Sequence, residues 1–110
     1  MIEDRMFPAL ENLLTLTTQR QRVLSANIAN LDTPGFRAKD ISFAEELGSN
    51  FETTARLVDV NSKEKPDGNN VDIDRELTEI TKNGLQYVTL VQYLNQRIKT
   101  LRAAIIEGGR

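Results

Sequence analysis

The sequence lacks cysteine, histidine and tryptophan, and only 5% of its 110 residues are aromatic. Without cysteine the chain has no disulfide and no thiolate nucleophile. Without histidine it has neither an imidazole base nor the commonest zinc ligand. This aromatic content is low for a compact globular domain and typical of a protein built from long helices. The absence of cysteine leaves the redox compartment open, because a chain without thiols suits either one.

Length and charge narrow the class of protein further. A chain of 110 residues fits one domain at most. Its 14 basic and 16 acidic residues are well mixed, and the net charge of −2 comes with no basic block, so nucleic acid is not an expected partner. The longest uncharged stretch is too short and too polar to span a bilayer. The first eight residues lack the apolar core of a cleavable secretory signal, so we expect any export to use another route.

The last third of the chain has the clearest periodicity. Apolar residues recur in alternating steps of three and four, which predicts a helix over residues 74–107 with a coiled-coil-like seam. Asp72 or Asp74 is expected to cap this helix, and Gly108-Gly109 to end it. Glu76 and Glu79 are expected to lie on a solvent-exposed face of this helix. The seam positions are Leu77, Ile80, Gly84, Tyr87, Val91, Leu94, Ile98, Leu101 and Ile105.

Glycine 84 interrupts this seam. Glycine inside a helix costs about 1 kcal/mol relative to alanine. It is either a defect in the seam or a position that permits close helix approach, and we favour close approach.

A second helix is predicted over residues 9–31, with Pro8 in its first turn. Its apolar residues fit two registers about equally, so we expect it to offer faces to more than one neighbour. The helix must end near Thr33, because a residue that precedes proline is pushed out of the helical region. Pro34-Gly35 then predicts a tight turn of type II.

The middle of the chain, residues 32–73, is predicted to be turn-rich. Phe43 and Leu47, four residues apart, indicate a short helix over 42–47. Residues 56–60 indicate a short strand, and 61–70 a loop. The expected fold is therefore a single all-α domain. Its two long helices pack as an antiparallel coiled-coil-like pair, joined by a turn-rich, partly extended segment.

Such a pair leaves apolar side chains uncovered, because several lie outside the seam. These are Leu85, Val88, Tyr93 and Ile106. A second apolar set on a long helix indicates a further surface to cover. We expect neighbouring copies or sister subunits to cover it, and head-to-tail contacts that do not close into a ring build tubes or filaments.

Two asparagines, Asn27 and Asn30, lie one turn apart near the predicted end of the first helix. An ordinary helix end accounts for them. The functional alternative is that they hydrogen-bond a neighbouring backbone and fix its register. The predicted subunit interface therefore comprises the seam together with Leu24, Asn27, Ile28 and Asn30.

No pattern indicates chemistry or a bound cofactor. The acids after Asp67 suggest calcium, but an EF-hand needs glycine at its sixth position and glutamate at its twelfth. Asp72 and Thr78 stand there instead, so helix capping explains the acids better. With no phosphate-binding loop and no catalytic constellation, we expect a structural protein rather than an enzyme.

Two segments resemble a known family. Residues 26–30, ANIAN, are similar to a motif that flagellar rod and hook proteins share. The motif continues with T-x-G-[YF], matched here by Thr33, Pro34, Gly35 and Phe36, which follow Asp32. Residues 67–77, DGNNVDIDREL, resemble the segment that opens the C-terminal helix of the membrane-proximal rod subunits. Leu31 departs from the small residue usual there, Phe36 replaces the usual tyrosine, and the middle segment is short for the family.

The resemblance implies a structural subunit of the bacterial flagellar basal-body rod. It implies a place at the membrane-proximal end, in the periplasm, where the rod transmits torque from the membrane ring to the distal rod and hook, and a requirement for motility. It also implies export by the flagellar type III apparatus without signal cleavage. The implied partners are other copies, FliE, FlgC and other rod proteins, and, directly or indirectly, the FliF ring. The alternative is a small cytoplasmic coiled-coil adaptor or regulatory protein.

Overall fold

The computed structural model describes residues 2–45 and 53–108. Helix α1 (Ile2–Ala29) is followed by strand β1 (Lys39–Glu45), strand β2 (Thr53–Asp59) and helix α2 (Ile73–Gly108). The helices run antiparallel, since Asn27 contacts Glu76 at one end and Met6 contacts Tyr93 towards the other. The molecule is narrow, with extents of 70 × 26 × 14 Å. The predicted antiparallel pair of long helices is therefore confirmed.

The middle segment corrects the all-α prediction, because β1 and β2 form a two-stranded antiparallel sheet. Ile41 faces Leu57 and Phe43 faces Ala55 across it. The predicted helix over 42–47 is wrong as far as residue 45. The apolar residues Ile41 and Phe43 are two apart, which is the period of a strand, and Leu47 lies outside the described residues. The predicted strand over 56–60 overlaps β2.

Helix α1 begins at Ile2, seven residues before the predicted start, so Pro8 lies inside the helix rather than in its first turn. A proline there removes one backbone hydrogen bond close to an end where the first four N–H groups have no partner anyway. Helix α2 matches its predicted bounds within one residue. Asp72 caps it, since Oδ1 accepts hydrogen bonds from the backbone N–H of Asp74 (3.1 Å) and of Arg75 (3.3 Å).

Two glycine turns meet where α1 ends. The first is the predicted type II turn, in which Gly35 has φ +75° and the N–H of Phe36 donates to the carbonyl of Thr33 at 3.2 Å. The second turn holds Gly68 with φ +88°. The N–H of Gly35 donates to the carbonyl of Asp67 at 2.9 Å. A Cβ on Gly68 would lie 3.3 Å from the Cα of Gly35, so the two turns are stacked backbone to backbone.

The apolar core of the described residues is small. At the turns, Ala38, Val60 and Val71 are buried, with Leu31 and Phe36 packed against them. Along α1 the buried apolar side chains are Leu10, Leu16 and Leu24. Partly buried apolar side chains such as Ile80, Val91 and Leu94 add to this core. Polar contacts are concentrated where the turns, the sheet and both helices meet.

We predict that Gly68→Ala destabilises the chain by about 1–2 kcal/mol, because a side chain at positive φ is strained and this one also meets Gly35. Urea unfolding followed by far-ultraviolet circular dichroism measures the change. Gly108→Ala is the control: its Cβ would meet nothing within 4 Å and its φ is not positive, so we expect a change within about 0.5 kcal/mol. Equal effects at both positions would contradict the stacked-turn account.

Candidate assembly surface and the polar junction that shapes it

Two buried asparagines join the second glycine turn to the end of α1 and to the sheet. Asn69 Nδ2 donates to the carbonyls of Asn30 (2.9 Å) and Thr33 (2.8 Å), just after the end of α1. Asn70 Oδ1 accepts from the N–H of Ala38 at 2.6 Å, and its Nδ2 donates to the carbonyl of Val60 at 3.0 Å. The two segments that carry the family resemblance are therefore bound to each other.

Asn27 and Asn30 have different roles. Asn27 is 1% exposed; its Oδ1 accepts from the N–H of Lys39 (3.1 Å), and its Nδ2 donates to the Lys39 carbonyl (2.6 Å) and to Glu76 Oε2 (3.0 Å). It thereby ties α1 to β1 and α2. Asn30 is partly exposed and donates to the Ala26 carbonyl of its own helix at 2.8 Å. That either asparagine contacts a neighbouring subunit stays a prediction.

Five charged side chains of alternating sign connect α1, β1 and α2. Arg20 donates from Nε to Asp40 Oδ1 (2.9 Å) and from Nη2 to Glu79 Oε2 (2.7 Å). Arg75 donates to Asp40 Oδ2 (2.7 Å) and to Glu76 Oε1 (2.9 Å). Glu76 is fully buried, so the prediction that it belongs to a solvated face is wrong. We call these five residues, with Asn27, the polar junction.

Contacts within the polar junction shift the pKa values of Asp40, Glu79 and Arg20. Burial raises the pKa of Asp40, but the hydrogen bonds from Arg20 and Arg75 outweigh that effect and the pKa lies below its ordinary value. The hydrogen bond from Arg20 likewise lowers the pKa of Glu79, although burial opposes it. The hydrogen bond to Asp40 is the main reason that the pKa of Arg20 is raised. Both carboxylates are thus held in their charged form.

Buried polar residues also turn α2 relative to its predicted seam. Glu76 and Asn83 face α1, each one position before the predicted Leu77 and Gly84. Asn83 Nδ2 donates to the Thr17 carbonyl (2.9 Å) and to Gln21 Oε1 (2.8 Å). Apolar periodicity does not reveal these contacts, because an amide or carboxylate is buried only where a partner meets it.

The structure divides the predicted interface residues into three groups. Leu24 and Asn27 are buried within the chain. The partly exposed members are Ile28, Asn30, Ile80, Gly84, Val91, Leu94 and Leu101. The exposed members are Leu77 (52%), Tyr87 (43%), Ile98 (44%) and Ile105 (74%). In the turn motif, Asp32, Thr33, Pro34 and Gly35 are exposed and Phe36 is partly buried.

The exposed apolar surface of α2 extends beyond the seam. We define it as Leu77, Leu85, Tyr87, Val88, Tyr93, Ile98, Ile105 and Ile106, all substantially exposed. Large apolar surfaces of this kind mark protein or membrane contacts. No helix of the described residues is both long and apolar enough to cross a membrane. Among residues 2–45 and 53–108, no acidic cluster has the arrangement that holds a metal ion.

A narrow pair of helices, joined at one end by polar contacts and with large apolar side chains exposed along α2, defines a structural subunit that packs against other chains. The comparisons with known proteins agree. The family model described as flagella basal body rod protein matches residues 12–37, which include Asn27, Asn30 and the first glycine turn.

Full-length relatives identify the family more closely. The flagellar basal body rod protein FlgB of Yersinia ruckeri is 35% identical, over 89% of this chain and 91% of the relative. FlgB of Bacillus subtilis strain 168 is 32% identical over 92% of each chain. FlgB of Escherichia coli K12 is 34% identical over 96% of this chain and 98% of the relative. The chain belongs to the FlgB family of flagellar basal body rod proteins.

Membership of this family makes the chain a structural component of the flagellar basal body, not an enzyme, and disfavours the adaptor alternative. The predicted family resemblance is confirmed. The alignments with the Yersinia ruckeri and Escherichia coli proteins extend over 125 and 135 residues, longer than this chain. These relatives therefore carry residues that have no counterpart here.

We predict that Asn27→Ala destabilises the chain by about 1–3 kcal/mol, because it removes the hydrogen bonds that Asn27 makes to the backbone of Lys39 and to the buried Oε2 of Glu76. The matched change Asn30→Ala removes only two local hydrogen bonds near solvent, one to the Ala26 carbonyl and one from the Thr33 hydroxyl, so we expect about 0.5 kcal/mol. Urea unfolding measures both. If the two variants lose equal stability, the polar junction does not depend on Asn27.

The lowered pKa values of Asp40 and Glu79 predict acid sensitivity. Their contribution is fully present above the ordinary carboxyl pKa, about 4, and is lost as the pH falls through the lower folded-state values. We therefore expect the free energy of unfolding to decrease steeply below about pH 4. Asp40→Asn should flatten this decrease, measured by urea unfolding at successive pH values. An equally steep loss in the variant would contradict the assignment to Asp40.

Proposed function

We propose that the chain occupies the membrane-proximal end of the flagellar rod, in the periplasm. There it transmits torque from the membrane ring to the distal rod and hook, and motility requires it. The single observation that carries a packing role is the exposed apolar surface of α2. The chain's membership of the FlgB family supports a place in the rod. The resemblance of residues 67–77 to the membrane-proximal subunits supports the proximal position within the rod.

The exposed apolar surface explains why subunits would associate. Full burial of a side chain such as Leu77 or Ile105 gives roughly 1.5–3 kcal/mol of gross transfer energy. Several such side chains along one 36-residue helix therefore favour side-by-side packing in a tube. Torque applied to such a tube is shared among many contacts along each helix, so no single contact bears it.

The proposed partners are other copies of the chain, FliE, FlgC and other rod proteins, and, directly or indirectly, the FliF ring. We further propose export through the flagellar type III apparatus without a cleavable signal. The small apolar core supports this route. Among the described residues, six apolar side chains are buried, and two of them, Leu24 and Ala38, are fully buried. A fold with so little buried apolar surface is opened more easily than a large core.

We predict that Ile98→Asp and Ile105→Asp abolish motility and rod assembly while leaving the isolated chain folded. Both side chains are exposed in the chain, but a carboxylate buried between subunits would lack a partner. Swarming of a complemented null strain and electron microscopy of its basal bodies measure the effect. Circular dichroism of each purified variant, unchanged from the parent, verifies the fold.

Gln96→Asp is the matched control, since it adds the same charge to an exposed position two residues from Ile98 on the opposite face of α2. It should swarm normally. Leu94→Asp should lose both assembly and stability, because Leu94 is already half-buried within the chain. Normal swarming of the Ile98 and Ile105 variants would contradict the proposal that this surface packs against other chains. A chain recovered only from the cytoplasm, as a discrete oligomer, would instead support the adaptor alternative.

A further inference from the structure

A groove runs along one side of the helix pair. Its most enclosed part is a depression of about 290 Å³ between the helices, bounded by Thr17, Thr18, Gln21, Asn83, Gly84 and Tyr87. Two more open depressions adjoin it and share Thr18. One extends along α1 towards Glu11 and the other towards Ala29. From Glu11 to Ala29 the groove is about 27 Å long at 1.5 Å per residue.

Gly84 is not needed for packing inside the chain. A Cβ at this position would meet nothing within 4 Å, and its φ is not positive. The predicted close helix approach at Gly84 is therefore not made by α1 of the same chain. Glycine is nevertheless among the least favourable residues inside a helix, because it loses the most backbone freedom. The space above Gly84 is thus open in the isolated chain, beside the most enclosed part of the groove.

Asn83 gives a second, independent indication of an incomplete site. It lines the same depression and is 1% exposed. Its Nδ2 is fully engaged with Thr17 and Gln21, yet its Oδ1 has no hydrogen-bond partner. A buried acceptor without a donor is unfavourable, so a native structure that keeps one calls for an explanation.

The same chain carries a helical segment suited to the groove. Because Met6 lies opposite Tyr93, the start of α1 at Ile2 lies opposite about residue 97. Residues 98–108 of α2 therefore continue beyond α1 for about 16 Å. We call them the α2 extension. It exposes Ile98, Ile105 and Ile106, and it carries two hydrogen-bond donors, Lys99 and Arg102.

Groove and extension are complementary in side-chain size. From Gly84 towards Ala29, six of the ten residues that line the groove are small, namely Thr17, Thr18, Ser25, Ala26, Ala29 and Gly84. Towards Glu11 larger side chains, such as Leu14 and Arg22, line it. The extension presents large, β-branched apolar side chains, and a large side chain fits where the opposing residues are small. The two surfaces lie at different places along the chain, so their contact is head-to-tail, the type that builds open helical assemblies.

We propose that the groove centred on Gly84 receives the α2 extension of a second copy of this chain. This inference deepens the proposed function and depends on it, since it assigns the contact between adjacent copies in the rod. Gly84 leaves room for the incoming helix, and a donor of the extension reaches Asn83 Oδ1 on docking.

Substitutions at Gly84 test the groove, because fold and assembly should respond in opposite directions. Gly84→Ala and Gly84→Leu should raise the urea midpoint of the isolated chain, since both residues favour helix and meet open space. Gly84→Leu should nevertheless abolish swarming and rods, because it fills the groove. Gln86→Leu, exposed on the opposite side of α2, should swarm normally. A stabilised Gly84→Leu variant that swarms normally would overturn the proposal.

Cross-linking identifies the occupant, and the absence of native cysteine makes it specific. Thr18→Cys in the groove should form disulfide-linked oligomers with Ile98→Cys or Ile105→Cys when the double variant is oxidised in isolated basal bodies. A link within one chain is excluded for Ile105. Thr18 lies opposite about residue 83, and Ile105 is some 33 Å farther along α2, whereas a disulfide requires Cα atoms about 4.4–6.8 Å apart. Ala103→Cys, on the other side of the extension, is the matched control.

The outcomes separate the two proposals. Oligomers that form with Ile98→Cys or Ile105→Cys, and not with Ala103→Cys, support the groove. Basal bodies that contain the chain but give no links above the control overturn the groove and leave the proposed function intact. Links to another rod protein alone also overturn it, because the occupant would not be a second copy. A chain absent from basal bodies overturns both proposals.

Discussion

The side-chain amide of Asn27 holds three elements together. It pairs with both backbone groups of Lys39, as an adjacent strand would, and it also donates to Glu76. Because Glu76 has no access to solvent, its charge is acceptable only while Asn27 and Arg75 are in place. This contact fixes both the position of β1 and the rotation of α2 about its axis, and the ion pairs of Asp40 and the hydrogen bonds of Asn83 reinforce it.

That rotation determines which residues face outwards. With Glu76 and Asn83 turned towards α1, the neighbouring Leu77 and Gly84 fall at the edge of the helix pair. A chain that buried its apolar seam completely would have had little reason to associate. Buried polar groups commonly specify geometry at some cost in stability, and here the specified geometry leaves apolar surface for other chains.

Much of this architecture was predictable from the sequence, and the remainder has a physical explanation. The periodicity from Leu77 to Ile105 predicted α2, and Pro34-Gly35 predicted the type II turn. The rotation of α2 was not predictable, because burial of Glu76 depends on partners 49 residues away along the chain. The helix predicted around Phe43 was wrong. The prediction used the spacing of four between Phe43 and Leu47, whereas the strand follows the spacing of two between Ile41 and Phe43. The glycine turn at Gly68 was read as a loop, although its Asn69 links it to the end of α1 and its Asn70 links it to the residues that flank the sheet.

The hairpin formed by β1 and β2 is joined to the helix pair at one end, where its first and last residues lie side by side. Lys39 and Asp59 are paired in register, so the chain enters and leaves the sheet at neighbouring points. Extra residues at the far end of such a hairpin change its reach without altering the spacing at its base, and the entropic cost of a longer connection grows only slowly. The fold can therefore accept a projecting hairpin of variable length while the spacing of the two helices stays the same.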